Sequence, residues 1–282
     1  MRFFKYYGTG NDFVVVEAPG GRPGWATPET IVRICDRRFG VGADGVLLIE
    51  PGRSARFFMR VLNSDGSEAE MCGNGIRCVA RHLHERMGVA DREIPIETLA
   101  GVKRCRISED RGRYRVAVNL GPPVLERSAI PVAGTGDVLG IEVSVLGREF
   151  LGNAVSMGNP HFVIFERVDR EAADRYGAAL SNSPLFPNQA NIEFAEPEGS
   201  ERFRVWVYER GCGITMACGT GAAATAVAAV LTGRARAGVP ITMALPGGSL
   251  TLTVAPDLSD VVLEGPAVRV FEGELGLDAL AG

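Results

Sequence analysis

The chain says the same thing twice. Val61-Leu62-Asn63-Ser64-Asp65-Gly66-Ser67-Glu68-Ala69-Glu70-Met71-Cys72-Gly73-Asn74-Gly75 aligns without a gap on Val207-Tyr208-Glu209-Arg210-Gly211-Cys212-Gly213-Ile214-Thr215-Met216-Ala217-Cys218-Gly219-Thr220-Gly221, at an offset of 146 residues. Further landmarks keep the same order. Gly10-Asn11-Asp12-Phe13 is echoed by Gly158-Asn159-Pro160-His161-Phe162, Pro95-Ile96 by Pro240-Ile241, and Gly121-Pro122 by Gly265-Pro266. A period of this length is too long for a solenoid, whose repeats run to about 20–50 residues. It fits two similar domains of ordinary size. Residues 1–121 with 266–282 are expected to form the domain carrying Cys72, and residues 122–265 the domain carrying Cys218.

Strand-like runs of alternating or β-branched residues cover Phe13–Glu17, Val46–Ile49, Phe57–Leu62, Tyr114–Val118, Phe162–Phe165, Phe203–Tyr208, Leu250–Val254 and Val261–Leu263. Helical runs cover Pro28–Arg38, Gly75–Met87, Arg170–Leu180 and Gly221–Thr232, with Gly88 and Gly233 as C-terminal stops on the two motif helices. Each half thus has many short strands and one helix that starts at the Cys-Gly-x-Gly turn. Ala222–Leu231 is almost entirely small residues, so strands can pack tightly on every side of it. The expected class is α+β: two pseudo-symmetric domains, each a curled mixed or antiparallel sheet wrapped around a central helix. A dinucleotide fold is disfavoured, since no Gly-x-Gly-x-x-Gly follows the first strand.

Net charge is −4, which argues against a nucleic-acid partner. The N-terminus lacks the apolar stretch of a signal peptide, and the apolar helix is too short to span a bilayer. A cytoplasmic protein without a membrane partner is expected. A disulfide framework is not expected in a chain of this kind. The six cysteines include no Cys-x-x-Cys pair, and only His82, His84 and His161 could join them, so no metal site is expected. Cys35 and Cys105 read as core residues, while Cys78 and Cys212 flank the motifs without a required role.

Chemistry concentrates at the repeated turns. A helix N-terminus exposes backbone N–H groups and the positive end of the dipole, and glycine lets a ligand approach the backbone. A carboxylate would be held there, and the same field favours thiolate over thiol. One such motif suggests a nucleophilic or redox cysteine. Two related motifs suggest a pair, one thiolate and one thiol, acting on opposite faces of one carbon as base and acid. That is the equipment of a cofactor-independent racemase or epimerase. No pyridoxal phosphate is needed, and Lys5 and Lys103 both lie outside the motifs.

The set Gly10-Asn11-Asp12-Phe13, Asn63-x-Asp65-Gly66-Ser67, Cys72-Gly73-Asn74-Gly75-x-Arg77-Cys78, Met157-Gly158-Asn159-Pro160-His161, Tyr208-Glu209-Arg210-Gly211 and Ala217-Cys218-Gly219-Thr220-Gly221 resembles the diaminopimelate epimerase family. The resemblance implies conversion of LL-2,6-diaminopimelate to the meso form, in lysine and peptidoglycan precursor synthesis, without a cofactor. It implies Cys72 and Cys218 as the acid/base residues. Asn11, Asn63, Asn159, Asn191, Glu209 and Arg210 match substrate-contacting positions, with Gly73, Asn74, Gly219 and Thr220 at the reacting carboxylate. His161 and Glu209 match residues that poise the cysteine protonation states. A homodimer is implied, as is domain closure that brings the thiols together. Two positions depart from some relatives: Gly45 stands where those relatives carry Gln, and Phe271 where those carry an interface Tyr.

Plainer roles stand beside these. Asn63 and Asn191 suit turns, His161 suits a core hydrogen bond, Glu209-Arg210 suits a surface ion pair, and Asp12 and Asp65 suit turn organisation. The rival activities are a proline or hydroxyproline racemase of the same fold and a thiol redox protein.

Overall fold

The computed structural model describes residues 1–276. Its strands are β1 (Arg2–Gly8), β2 (Asn11–Glu17), β3 (Gly45–Pro51), β4 (Phe57–Asn63), β5 (Glu68–Ala69), β6 (Glu93–Thr98), β7 (Gly101–Asp110), β8 (Arg113–Asn119), β9 (Ile141–Val145), β10 (Arg148–Ser156), β11 (Pro160–Ile164), β12 (Asn191–Pro197), β13 (Arg202–Glu209), β14 (Gly213–Ile214), β15 (Ile241–Leu245), β16 (Gly248–Val254), β17 (Val261–Pro266) and β18 (Val268–Glu274). The helices are α1 (Pro28–Cys35), α2 (Gly73–Glu85), α3 (Arg170–Ser181) and α4 (Gly219–Leu231). The chain divides into two compact units: Met1–Val118 with the segment from Gly265, and Asn119–Glu264. The second unit begins at Asn119, ahead of the Gly121-Pro122 landmark. Asn119 Nδ2 donates to Asp260 Oδ2 at 2.6 Å, and its Oδ1 accepts from the Gly121 N–H at 2.9 Å.

In the first unit the hydrogen-bonded order is β18–β1–β2–β3–β4–β6–β7–β8, with β5 on the end of β4. In the second it is β9–β10–β11–β12–β13–β15–β16–β17, with β14 on the end of β13. The two orders match strand for strand. Both units run antiparallel except at two places: β2/β3 and β4/β6 in the first, β11/β12 and β13/β15 in the second. The duplication is therefore one of topology as well as of motif.

Each sheet carries a helix on both faces, and this explains its burial pattern. In β3 every residue from Gly45 to Glu50 is buried, as expected for a strand covered on two sides. Val14, Val16, Val46 and Leu48 pack with Ile31 and Ile34 of α1. The alternate residue Leu47 turns to the other face and meets α2 at Gly75. The second unit repeats the plan. Phe162, Ile164, Ile192 and Phe194 pack with Ala173 and Leu180 of α3, while Glu193 faces α4 at Gly221. Within their own units α2 packs against β1, β2, β3, β4, β6 and β7, and α4 against β10, β11, β12, β15 and β16. The expected curled sheet around a central helix is thus present in each unit. No helix among the described residues is long and apolar enough to cross a membrane.

Both motif helices begin two residues earlier than the periodicity suggests, at Gly73 and Gly219, because the cysteine itself is the N-cap. Helix α1 stops at Cys35, short of Arg38. Asp36 turns extended there, and its Oδ1 takes the Arg38 and Phe39 N–H groups at 2.7 Å each. Strands β1, β6, β9, β10, β12, β15 and β18, with the short β5 and β14, are absent from the strand-like runs. In β1 the four residues Phe3–Tyr6 are buried without alternation, including Lys5, whose ammonium pairs with Asp12 at 2.5 Å. β12 hides polar Asn191 and Glu193 inside a buried strand.

Candidate active site

Cys72 caps α2 with extended backbone (φ −135°, ψ 115°), and its Sγ accepts the Gly75 N–H at 3.3 Å. The sulfur thus occupies the anion-favouring end of the helix, where unsatisfied N–H groups point outward. Asn11 Oδ1 lies 3.7 Å from Sγ and 3.5 Å from Asn74 Nδ2. The Asn11 amide is fixed from behind, since its Nδ2 donates to Asp44 Oδ2 at 2.6 Å. Asp44 is in turn bridged by Arg37 to Asp12. Asp12 therefore belongs to an ion-pair cluster with Lys5 and Arg37 rather than to a turn. The arginine and lysine hydrogen bonds hold its carboxyl below the usual range, against the effect of burial.

The same helix contains a residue that sequence reasoning quoted without assigning a role. Arg77 is fully buried, and its guanidinium donates to Gly73 O at 2.9 Å, Asn74 Oδ1 at 2.7 Å, Thr9 Oγ1 at 2.9 Å and Pro266 O at 3.2 Å. All four acceptors are uncharged. Burial lowers its pKa to about 10, with a smaller opposing effect from the Cys78, Cys72 and Cys105 sulfurs. Asn63 ends β4 with its Nδ2 donating to Ser67 Oγ at 2.9 Å, while Asp65 Oδ1 accepts the Ser67 N–H and hydroxyl as a turn organiser. Gly45 sits in the register opposite Asn63, and a Cβ there would stand 2.7 Å from the Leu62 carbonyl. The backbone closes the space that a longer residue would need.

In the second unit Cys218 caps α4 (φ −121°, ψ 114°), with Sγ 3.5 Å from the Thr220 hydroxyl. Its environment is of opposite sign to that of Cys72. Burial drives its pKa well above the ordinary thiol value, and the Glu209 and Glu193 carboxylates push the same way, against the Thr220 hydroxyl. Glu209 itself is raised, chiefly by burial, although Thr215 Oγ1 donates to it at 2.6 Å and the Cys218 thiol lies within hydrogen-bonding reach. His161 is fully buried in β11. Its Nδ1 lies 2.7 Å from Glu193 Oε1 and its Nε2 3.0 Å from Asn159 Oδ1.

Asn191 is buried, and both ends of its amide are spent on backbone. Nδ2 donates to Pro160 O at 3.3 Å, and Oδ1 accepts from the Arg210 N–H at 3.0 Å. It positions the turn that carries Arg210. The Arg210 side chain is exposed and donates to Asn188 O at 3.2 Å, and no Glu209–Arg210 ion pair is made among the described contacts. Glu193 escaped sequence reasoning. The only signal for it was an acidic residue in the stretch Asn191-Ile192-Glu193-Phe194-Ala195, otherwise suited to a buried strand.

Cys35, Cys78 and Cys105 are buried, and burial lifts their thiols to about 11, about 12 and about 12. Cys212 is exposed. Among the described residues no group of His, Cys, Asp and Glu could hold a metal ion.

A family model described as diaminopimelate epimerase matches residues 3–126 and 153–270. The diaminopimelate epimerase of Moorella thermoacetica is 47% identical over 99% of this chain and 100% of that protein. The one from Carboxydothermus hydrogenoformans is 44% identical over 97% and 99%. Among solved structures, a probable proline racemase from Agrobacterium radiobacter superposes with a TM-score of 0.72 at 16% identity, covering 98% of this chain and 93% of that one. A predicted epimerase from Pseudomonas aeruginosa superposes at 0.67 and 17%, covering 97% and 98%. The structural likenesses place the fold, and the sequence matches place the chain within it: it belongs to the diaminopimelate epimerase family.

Proposed function

We propose that this protein interconverts LL- and meso-2,6-diaminopimelate by moving one α-proton between two thiols. The observation that carries this reading is the pair of cysteines, each capping a helix N-terminus and set in surroundings of opposite charge. In the LL-to-meso direction the Cys72 thiolate takes the proton from one face of the Cα. The Cys218 thiol delivers its proton to the other face, and the C–H bond broken is replaced by one of opposite configuration. The reverse reaction exchanges the roles. The amides at the start of α2 and α4 are the donors for the reacting carboxylate, whose charge grows as the carbanion forms. Asn11, Asn63 and Asn159 hold the substrate's polar groups, and Arg210 its distal carboxylate with the planar fork such an anion suits. The burial that keeps Cys218 protonated suits it to the acid role.

In this reading the protein is a cytoplasmic homodimer that serves lysine and peptidoglycan precursor synthesis. The half-exposed Phe271, packed edge-on to Phe3 at 6.0 Å, stands where some relatives carry an interface Tyr. The test is incubation with LL-diaminopimelate in D₂O, with L-proline as the comparison substrate. Meso product with one deuterium at the inverted carbon is expected, and no change to proline. Turnover without deuterium, or racemisation of proline in preference, overturns the assignment.

A further inference from the structure

Glu193 is an expensive residue to bury. Its side chain has no exposed surface, Oε1 meets His161 Nδ1 at 2.7 Å, and Oε2 finds no hydrogen-bond partner among the described residues. A carboxylate so placed is destabilising unless something offsets it. The duplication supplies the control. In the first unit Val15 pairs with Leu47 across parallel strands, and in the second Val163 pairs with Glu193 at the matching position. Leu47 packs its methyls where a Gly75 Cβ would be, at 3.1 Å, and Glu193 Oε1 stands 2.6 Å from the equivalent point on Gly221. The same socket, under the first turn of a cysteine-capped helix, is apolar in one half and anionic in the other.

We propose that Glu193 is a positioning residue of the second half-site: it fixes His161, and through it the Asn159 amide, and sets a negative charge under the first turn of α4. The anion offsets the positive end of the α4 dipole, which would otherwise favour a Cys218 thiolate. It also accepts the His161 Nδ1 proton, while Nε2 faces Asn159 Oδ1, an acceptor that it bonds only as a second donor. The groups facing this carboxylate are His161 from β11, Glu209 from β13, and Cys218 with Gly221 from α4. The inference rests on the two-thiol reading for its kinetic consequence, but its structural consequence is independent of any substrate.

The chain has only three histidines, so their ring nitrogens can be followed individually by long-range ¹H–¹⁵N NMR of the wild-type protein. His161 is expected to carry a proton on Nδ1, whereas a free imidazole favours the Nε2 tautomer. Glu193→Gln keeps an acceptor and removes the charge. It should move the upper limb of the kcat/KM profile to lower pH, because an anion that opposes thiolate formation is gone. Glu193→Leu, which installs the first unit's own residue, should release the His161 tautomer as well and lower kcat about 10- to 100-fold, the range for lost outer-shell partners. An unprotonated His161 Nδ1 in the wild type overturns the proposal even if neither variant folds. So do folded variants with wild-type kcat and an unmoved pH limb. If the wild type fails to epimerise diaminopimelate, the functional reading falls, while the histidine spectrum still decides the role of Glu193.

Discussion

At the scale of single residues the duplicated site is built from opposite charges. Arg77 is a buried cation on the helix that Cys72 heads, and the buried Glu193 and half-buried Glu209 carboxylates stand around Cys218. Cys72→Ser and Cys218→Ser should each lower epimerisation by about 100-fold or more, since a hydroxyl is a poor acid or base at neutral pH and each thiol carries one proton transfer. Circular dichroism should show both folded. Near-normal turnover in either variant would end the two-thiol assignment. Arg77→Met should cost about 3 kcal/mol or more in urea unfolding, because it removes four hydrogen bonds from a buried site. An unchanged midpoint would show that the guanidinium does not hold the start of α2 to the β1–β2 turn and the end of β17.

At the scale of elements, the two motif helices share a start but not a character. Helix α2 presents a buried face and polar residues to the outside, whereas α4 is buried almost all round by small residues. The glycines at their first turns meet different partners. At Gly75 an added methyl meets flexible Leu47 methyls, and at Gly221 it would collide with Glu193 Oε1. Gly75→Ala should therefore cost about 1 kcal/mol and Gly221→Ala about 1–3 kcal/mol in thermal unfolding, with the larger loss of turnover at Gly221. Equal effects would deny the close approach its special place. Helix α2 also carries a pH-sensitive contact. Buried His82 meets Tyr6 Oη at 3.1 Å through Nδ1 and Glu17 Oε1 at 2.8 Å through Nε2. Burial depresses its pKa below 6.5, although Glu17 opposes the shift. The unfolded chain thus binds this proton first, so the contribution of His82 is complete above about pH 6.5 and is lost as the pH falls. His82→Gln should flatten the acid limb of stability against pH, and an unchanged slope would remove His82 from that account.

At the scale of the whole molecule, the units differ in how the chain completes them. The second, Asn119–Glu264, is one continuous stretch with its own sheet and core. Expressed alone it should unfold cooperatively, and a non-cooperative melt would show that its core is insufficient by itself. The first unit is closed by the returning chain. β18 pairs with β1, Arg77 donates to Pro266 O, and Arg81 donates to Ala267 O at 2.7 Å. Truncation after Glu264 should therefore loosen the first unit while leaving the second's hydrogen-exchange protection intact. Uniform loss across both units would contradict that division.

The sequence by itself determined the duplication, the class of fold and the two cysteines, because each is written locally: an offset of 146 residues, periodic apolar runs, and a Cys-Gly-x-Gly turn before each helix. Strands β1 and β12 hide polar Lys5, Asn191 and Glu193 in continuously buried stretches, so neither alternation nor an unbroken apolar run marks them, while β6 and β15 alternate in burial but are short. The side-chain roles were decided only by tertiary structure. Asn191 lies inside a buried strand with its amide bonded to Pro160 O and to the Arg210 N–H, so that it holds the turn that carries Arg210. Arg77 stood in a quoted motif without a role and is a buried cation. Glu193 was silent and lies beneath Cys218's helix. Burial and the partners that offset it depend on chain segments brought together from far apart, as when Pro266 meets Arg77. The opposite charges around two nearly identical turns are therefore a property of the fold, and the repeated motif alone does not contain them.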